Sequence, residues 1–137
     1  MSDPSFLSLA EVQELHEISL QRYGGARGVR DAGGLEAAVE QPKHTYHYGH
    51  GDLFDVAAAY AFHIAQAQAC VDGNKRTAVA AALVFLKLNG VSAVFDQWEI
   101  YRMMIAIAEK RAGKSQLAEF FRTVSSTRLE RGNEDCG

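Results

Sequence analysis

The sequence predicts an all-α fold of about six helices with one short β-like connector or hairpin. Apolar residues recur at helical spacing along the chain, whereas period-2 alternation does not recur. Two alanine-rich apolar segments, about 53–69 and 74–88, read as helices facing apolar neighbours on most sides. Cap-like pairs stand ahead of the helical stretches, with Ser8 and Glu11 the clearest. The 137 residues are expected to form one domain, with a core over about 6–124 and a polar tail over 125–137.

Ser8-Leu9-Ala10-Glu11 opens the first helix, with Leu9, Val12, Leu15 (or His16) and Ser19 on one face. It ends near Tyr23-Gly24-Gly25. A glycine-rich connection leads to a short helix from Gly34 to about Gln41, which Pro42 is expected to stop. Lys43 to Gly51 reads as an exposed loop or small hairpin. Asp52 or Asp55 caps the next helix, which runs to about Ala69. Val71-Asp72-Gly73-Asn74 interrupts it. A further apolar helix runs from about Asn74 to Leu88 and stops at Asn89-Gly90. Val91–Phe95 is the β-like connector. Asp96 caps a helix reaching Ala112-Gly113, and the last helix runs from Ser115 to about Val124. The tail from Ser125 is expected to be frayed.

Fourteen basic and seventeen acidic residues give a net charge of −3, so DNA binding is not expected. The charge is unevenly placed. Residues 1–72 carry four basic and ten acidic side chains, and residues 96–137 carry seven of each. Between them lie Lys75, Arg76 and Lys87 with no acid. Anionic ligands are therefore sought at that cationic stretch. Cys70 and Cys136 match no disulfide or metal framework, and a reducing, cytoplasmic setting is expected. The N-terminus has no signal-peptide pattern, and no apolar run approaches a membrane span.

The chemistry concentrates at Gln68-Ala69-Cys70-Val71-Asp72-Gly73-Asn74-Lys75-Arg76-Thr77. One apolar helix ends, a turn containing Gly73 follows, and another helix starts. A helix start presents unpaired N–H groups and the positive end of the macrodipole, which together attract anions. Gly73 lets a phosphate approach the backbone. Lys75 and Arg76 oppose the macrodipole at roughly 0.3–1 kcal/mol each, which a bound polyphosphate would offset. Asp72 could ligate a divalent metal bridging that phosphate. The plainer reading makes Asp72 an N-cap, Gly73 a turn residue, and the two cations solvated or paired.

Val71-Asp72-Gly73-Asn74-Lys75-Arg76-Thr77-Ala78 resembles the core motif of the Fic/Doc family in its death-on-curing (Doc) form, typically His-Pro-Phe-x-Asp-Gly-Asn-Lys-Arg-Thr. Arg22-Tyr23-Gly24-Gly25, Gly28-Val29-Arg30-Asp31, Gly34-Leu35-Glu36-Ala37-Ala38 and Gln41-Pro42 resemble the N-terminal segment of such proteins. The likeness extends from about Phe6 to Phe121. It implies a compact helical bundle that binds a nucleoside triphosphate, ATP, with Mg²⁺. Asp72 would hold the metal, Gly73 and Asn74 would line the phosphate site, and Lys75 and Arg76 would neutralise phosphate charge. Fic enzymes generally transfer AMP to a target hydroxyl. Doc-type toxins transfer the terminal phosphate to a threonine of elongation factor Tu, and a small antitoxin neutralises them.

The chain departs from that pattern at one segment. The family's general-base histidine falls at Gln68, with Ala69 and Cys70 in place of Pro and Phe. An amide cannot take a proton near neutral pH, and losing a general base typically costs about 10²–10⁴-fold in rate. His63 would sit about 140° round the helix from Gln68, so a structural role is expected for it. His44, His47 and His50, with Tyr46 and Tyr48, fall where Fic proteins carry a target-positioning flap. Those residues could supply a base, a metal site or a docking surface, or remain solvated. Ser126 and Glu130 have the spacing of an inhibitory-helix motif, although Arg131 breaks it. The expected function is a Doc-like nucleotide- and Mg²⁺-binding protein of weakened or lost activity. The alternatives are an AMP- or phosphoryl-transferase using another base or none, and a non-catalytic binding or assembly protein.

Overall fold

Ser8 Oγ accepts the Glu11 N–H while Glu11 Oε1 accepts the Ser8 N–H, and this reciprocal pair opens α1 (Leu9–Tyr23). The computed structural model describes residues 3–127. The buried face of α1 is Val12, His16, Ser19 and Leu20, so His16 rather than Leu15 takes the inward position.

The second helix departs most from expectation. Asp31 caps it by accepting the Gly34 N–H, and α2 runs as Ala32–His47, straight through Pro42. Leu35, Ala38, Val39 and Pro42 are buried at helical spacing, and Tyr46 packs on the core one turn further on. A proline inside a helix costs about 3 kcal/mol or more. Continuing the helix lets this stripe lie against its neighbour, and that burial outweighs the lost backbone bond. Lys43 to His47 is thus helical, and only Tyr48–Gly51 remains a turn.

Helix α3 (Leu53–Ala67) is central, and it packs against α2, α4 (Asn74–Leu88) and α6 (Lys114–Val124). Both candidate capping residues act: Asp52 Oδ1 accepts the Asp55 N–H and Asp55 Oδ2 accepts the Asp52 N–H. Alanines at 57, 58, 59 and 61 are fully buried and allow close helix approach. Tyr60 stacks near Phe85 of α4 at 5.3 Å, and its hydroxyl oxygen accepts the Leu7 N–H at 2.7 Å. That bond tethers the segment ahead of α1 to the core.

Helix α4 has the boundaries the sequence predicts, from Asn74 to Leu88 with Asn89 as cap. The connector is β1 (Val91–Ala93). It pairs antiparallel with β2 (Ser125–Thr127), Val91 opposite Thr127. The tail therefore does not fray at Ser125. A distant strand supplies hydrogen-bond partners that local sequence cannot reveal. Helix α5 (Gln97–Ala108) ends earlier than expected, because Lys110 adopts a left-handed torsion (φ 62°) and turns the chain. Arg122 of α6 donates to Asp52 and Glu119, tying α6 to the start of α3.

Among the described residues, the fold is all-α with this single strand pair, and no helix is long and apolar enough to cross a membrane. Glu130, Arg131 and Cys136 lie outside the described residues, and Ser126 belongs to β2 rather than to an inhibitory helix.

Candidate functional site

The link between α3 and α4 forms one wall of a cavity of about 300 Å³. Ala65, Gln68, Val71, Asp72, Gly73, Asn74, Lys75 and Arg76 line it. All six residues singled out from the sequence meet there.

Helix α3 stops at Ala67, and Gln68 is its C-cap in the left-handed region (φ 45°, ψ 41°). The helical-wheel angle between His63 and Gln68 therefore does not apply, since Gln68 has left the helix. A proline at 69 would crowd the N–H and Cβ of residue 68 and push it toward extended torsions, so Ala69 goes with the torsion observed. The Gln68 carbonyl accepts from Arg30 Nε at 3.2 Å. Its side-chain amide makes no hydrogen bond among the described residues and is exposed at the cavity.

Gly73 is the N-cap of α4, at φ 78°, and it carries no capping side chain. Asp72 is therefore not the cap. The N–H groups of Asn74, Lys75 and Arg76 have no acceptor among the described residues, and the first bond of the helix is Thr77 N–H to the Gly73 carbonyl. The Asn74 side chain faces backward, accepting the Cys70 N–H at 3.0 Å and donating to the Cys70 carbonyl at 2.8 Å. It shapes the turn as well as lining the cavity. Lys75 is exposed. Arg76 donates to the Gly24 carbonyl at 2.9 Å and lies over the Tyr23 ring at 5.4 Å. Neither cation pairs with a carboxylate among the described residues. The solvated alternative therefore describes Lys75, and a carbonyl contact describes Arg76. Neither contact neutralises the charge.

The connection between α1 and α2 is the part of the site that local reading missed. Ala26 N–H donates to Asp72 Oδ2 at 2.7 Å. Val71 N–H donates to the Gly28 carbonyl, and Arg30 and Asp31 N–H both donate to the Ala69 carbonyl. His16 Nε2 lies 2.8 Å from the Asp72 carbonyl. Gly25 sits where a Cβ would meet Asp72 Cβ at 3.1 Å and Leu20 Cδ2 at 3.0 Å, at φ 125°. The glycine pair was the only signal of this close approach. Gly25→Ala is expected to lower stability by about 1–3 kcal/mol in urea denaturation, through torsional strain and crowding. Gly24→Ala, at φ 80° but with nothing within 4 Å of its Cβ, is expected to cost less.

His44, His47, His50 and His63 lie away from the cavity lining. His63 faces α6, where Nε2 accepts from Lys114 Nζ at 3.0 Å. Burial, with Lys114 adding to it, lowers its pKa to about 4, so the ring stays neutral. An unfolded His63 titrates near 6.5. Its contribution to stability is thus present above pH 6.5 and is lost as pH falls toward 4. Denaturant titrations at pH 7.5 and 4.5 are expected to show a smaller loss in His63→Gln than in wild type. His44 and His47 lie in the last turn of α2, with His47 against Phe6 at 5.9 Å and His44 beside Tyr48. Tyr46 packs edge-on to Phe6, and Tyr48 is 80% exposed. None of these lines the cavity, and no cluster of three His, Cys, Asp or Glu able to hold a metal occurs among the described residues. Cys70 is a buried free thiol, its pKa raised by burial.

An Mg²⁺-nucleotide fits these donors. A Cβ on Gly73 would lie 3.4 Å from Arg76 Nη2, an ordinary contact distance, and the open N–H groups begin just beyond it. Asp72 Oδ2 is engaged by Ala26, while Oδ1 has no partner among the described residues. One carboxylate oxygen completed by phosphate oxygens and water is an ordinary Mg²⁺ arrangement.

A family model described as the Fic/DOC family matches residues 6–86. The chain is 36% identical over 117 residues to "Protein kinase doc" of Escherichia phage P1, covering 85% of this chain and 92% of that protein. It is 49% identical over 77 residues to "Toxin Doc" of Mycolicibacterium smegmatis, covering 54% of this chain and 58% of that protein. The matched span holds α1 through most of α4, with the glycine-capped turn at its end, and the chain belongs to the Fic/Doc family.

Proposed function

We propose that this chain is a Doc-type protein of a toxin–antitoxin module that binds ATP with Mg²⁺ at the start of α4. Its transfer of phosphate to a protein hydroxyl is weakened or lost. The observation that carries this reading is the conjunction at one cavity of three open N–H groups, two cations without a carboxylate partner among the described residues, and a neutral amide, Gln68. The names of the relatives, a protein kinase and a toxin, favour phosphoryl over AMP transfer. A threonine of elongation factor Tu is the proposed target, a small antitoxin the proposed partner, and the cytoplasm the proposed setting.

Asp72 would hold the metal through its open oxygen. The N–H groups of Asn74, Lys75 and Arg76, with the two side-chain cations, would hold phosphate oxygens. Gln68 can orient a hydroxyl by hydrogen bonding but cannot take its proton. When bound, the Mg²⁺-nucleotide supplies the transferable phosphoryl group. Phosphoryl transfer depends mainly on positioning and charge neutralisation, so some transfer without a base is the second reading. The charge-neutralising half of the site, Lys75 and Arg76, favours it.

Calorimetry with ATP and Mg²⁺ tests binding. Labelled γ-phosphate and labelled AMP, offered with elongation factor Tu, test transfer. Micromolar binding with slow or no γ-phosphate transfer is expected. Absence of ATP binding would falsify the proposal, and AMP transfer would replace it with the adenylylating reading.

A further inference from the structure

We infer that His16 is a positioning residue for the metal-ligand carboxylate of Asp72, an inference that rests on the function proposed above. Asp72 is held at both ends. Its side chain accepts the Ala26 N–H at 2.7 Å through Oδ2. Its carbonyl lies 2.8 Å from His16 Nε2. A carbonyl only accepts, so Nε2 carries the proton in this contact.

The peptide plane makes the second contact consequential. Pinning the Asp72 carbonyl fixes the whole rigid unit between Asp72 and Gly73. The Asp72 side chain hangs from one end of that unit, and α4 starts at the other. Gly73 has the widest torsional freedom of any residue and brings no capping side chain to steady the turn. Steadiness must come from outside the turn. His16 supplies it from α1, whose packing on α4 leaves the residue only 6% exposed. Its ring edge also fills the space beside Gly73, with Cδ2 3.6 Å from where a Cβ would lie. A leucine could fill that volume. The imidazole adds a donor aimed at one atom.

The consequence is specific. His16 sets the angle between the Asp72 carboxylate and the open N–H groups of α4. It should matter for nucleotide held through metal and much less for nucleotide held by the cations alone. Two variants beside the wild type separate this from a packing role: His16→Leu, which keeps bulk, and His16→Gln, which keeps an N–H donor near the Nε2 position. ATP affinity is measured by calorimetry with Mg²⁺ and with EDTA, folding by circular dichroism, and the His16 tautomer by ¹⁵N NMR.

Wild type is expected to show the Nε2–H tautomer and tighter binding with Mg²⁺. His16→Leu is expected to lose about tenfold in affinity with Mg²⁺ and to match wild type in EDTA. His16→Gln is expected to recover most of the loss. A folded His16→Leu with unchanged Mg²⁺ enhancement overturns the inference and leaves the proposed function standing. Equal losses with Mg²⁺ and with EDTA likewise point to packing alone. If His16→Leu does not fold, an Nδ1–H tautomer in wild type, or a folded His16→Gln without Mg²⁺ enhancement, overturns it. A wild type that binds no ATP overturns the proposed function itself.

Discussion

Gln68→His is expected to raise γ-phosphate transfer to a protein hydroxyl by about 10²–10⁴-fold, the usual contribution of a general base. The position is prepared for such a change. The side chain at 68 lies exposed on the cavity wall and makes no hydrogen bond among the described residues, so nothing must be broken to admit an imidazole. Histidine is among the residues enriched in the left-handed region that Gln68 occupies. Initial rates with saturating ATP and Mg²⁺ provide the measurement. The gain should carry a new acidic limb near the ordinary histidine pKa of about 6.5. Adding Ala69→Pro and Cys70→Phe should change the gain further, because a proline at 69 drives residue 68 out of its left-handed torsion. No gain in either the single or the triple variant would show that the base is not what limits transfer.

Replacing Lys75 and Arg76 together by alanine is expected to weaken ATP binding by roughly 10²-fold, from the size of charge-assisted hydrogen bonds. The two residues should not contribute equally. Lys75 is exposed and meets no carboxylate among the described residues, whereas Arg76 is already engaged by the Gly24 carbonyl and the Tyr23 ring. Arg76→Ala should therefore also lower stability, by loosening the connection between α1 and α2. Lys87→Ala is the control. It removes a cation from the same acid-free stretch, but at the far end of α4, where the macrodipole favours it. Calorimetry at low and high salt measures the series, and an unchanged affinity in the double variant would remove the cations from the site.

Much of this was legible along the chain. The capping pairs at Ser8 and Glu11 and at Asp96 and Glu99 form, Asp52 and Asp55, read as alternative caps, act together, and α4 begins and ends where its residues indicate. These are contacts over three or four positions, which a linear reading captures. The continuation of α2 was legible in part. Leu35, Ala38, Val39, Pro42 and Tyr46 keep helical spacing, and weighing that stripe above the proline would have extended the helix. The β1–β2 pair was not, since three-residue strands far apart in sequence carry no mutual signal.

The candidate site divides in the same way. Local order alone brought Asp72, Gly73, Asn74, Lys75 and Arg76 together at a helix start, because one turn and its helix hold them all; the amide at Gln68 was marked only by the resemblance to the Fic/Doc motif. Long-range packing settled what holds those groups at their angles. Ala26 reaches the Asp72 carboxylate, Gly24 takes Arg76, and His16 meets the Asp72 carbonyl, each across a wide stretch of chain. Charge and helix-end polarity act within a few residues and can be read along a line. A hydrogen bond between α1 and the start of α4 exists only once the core has packed those helices against each other.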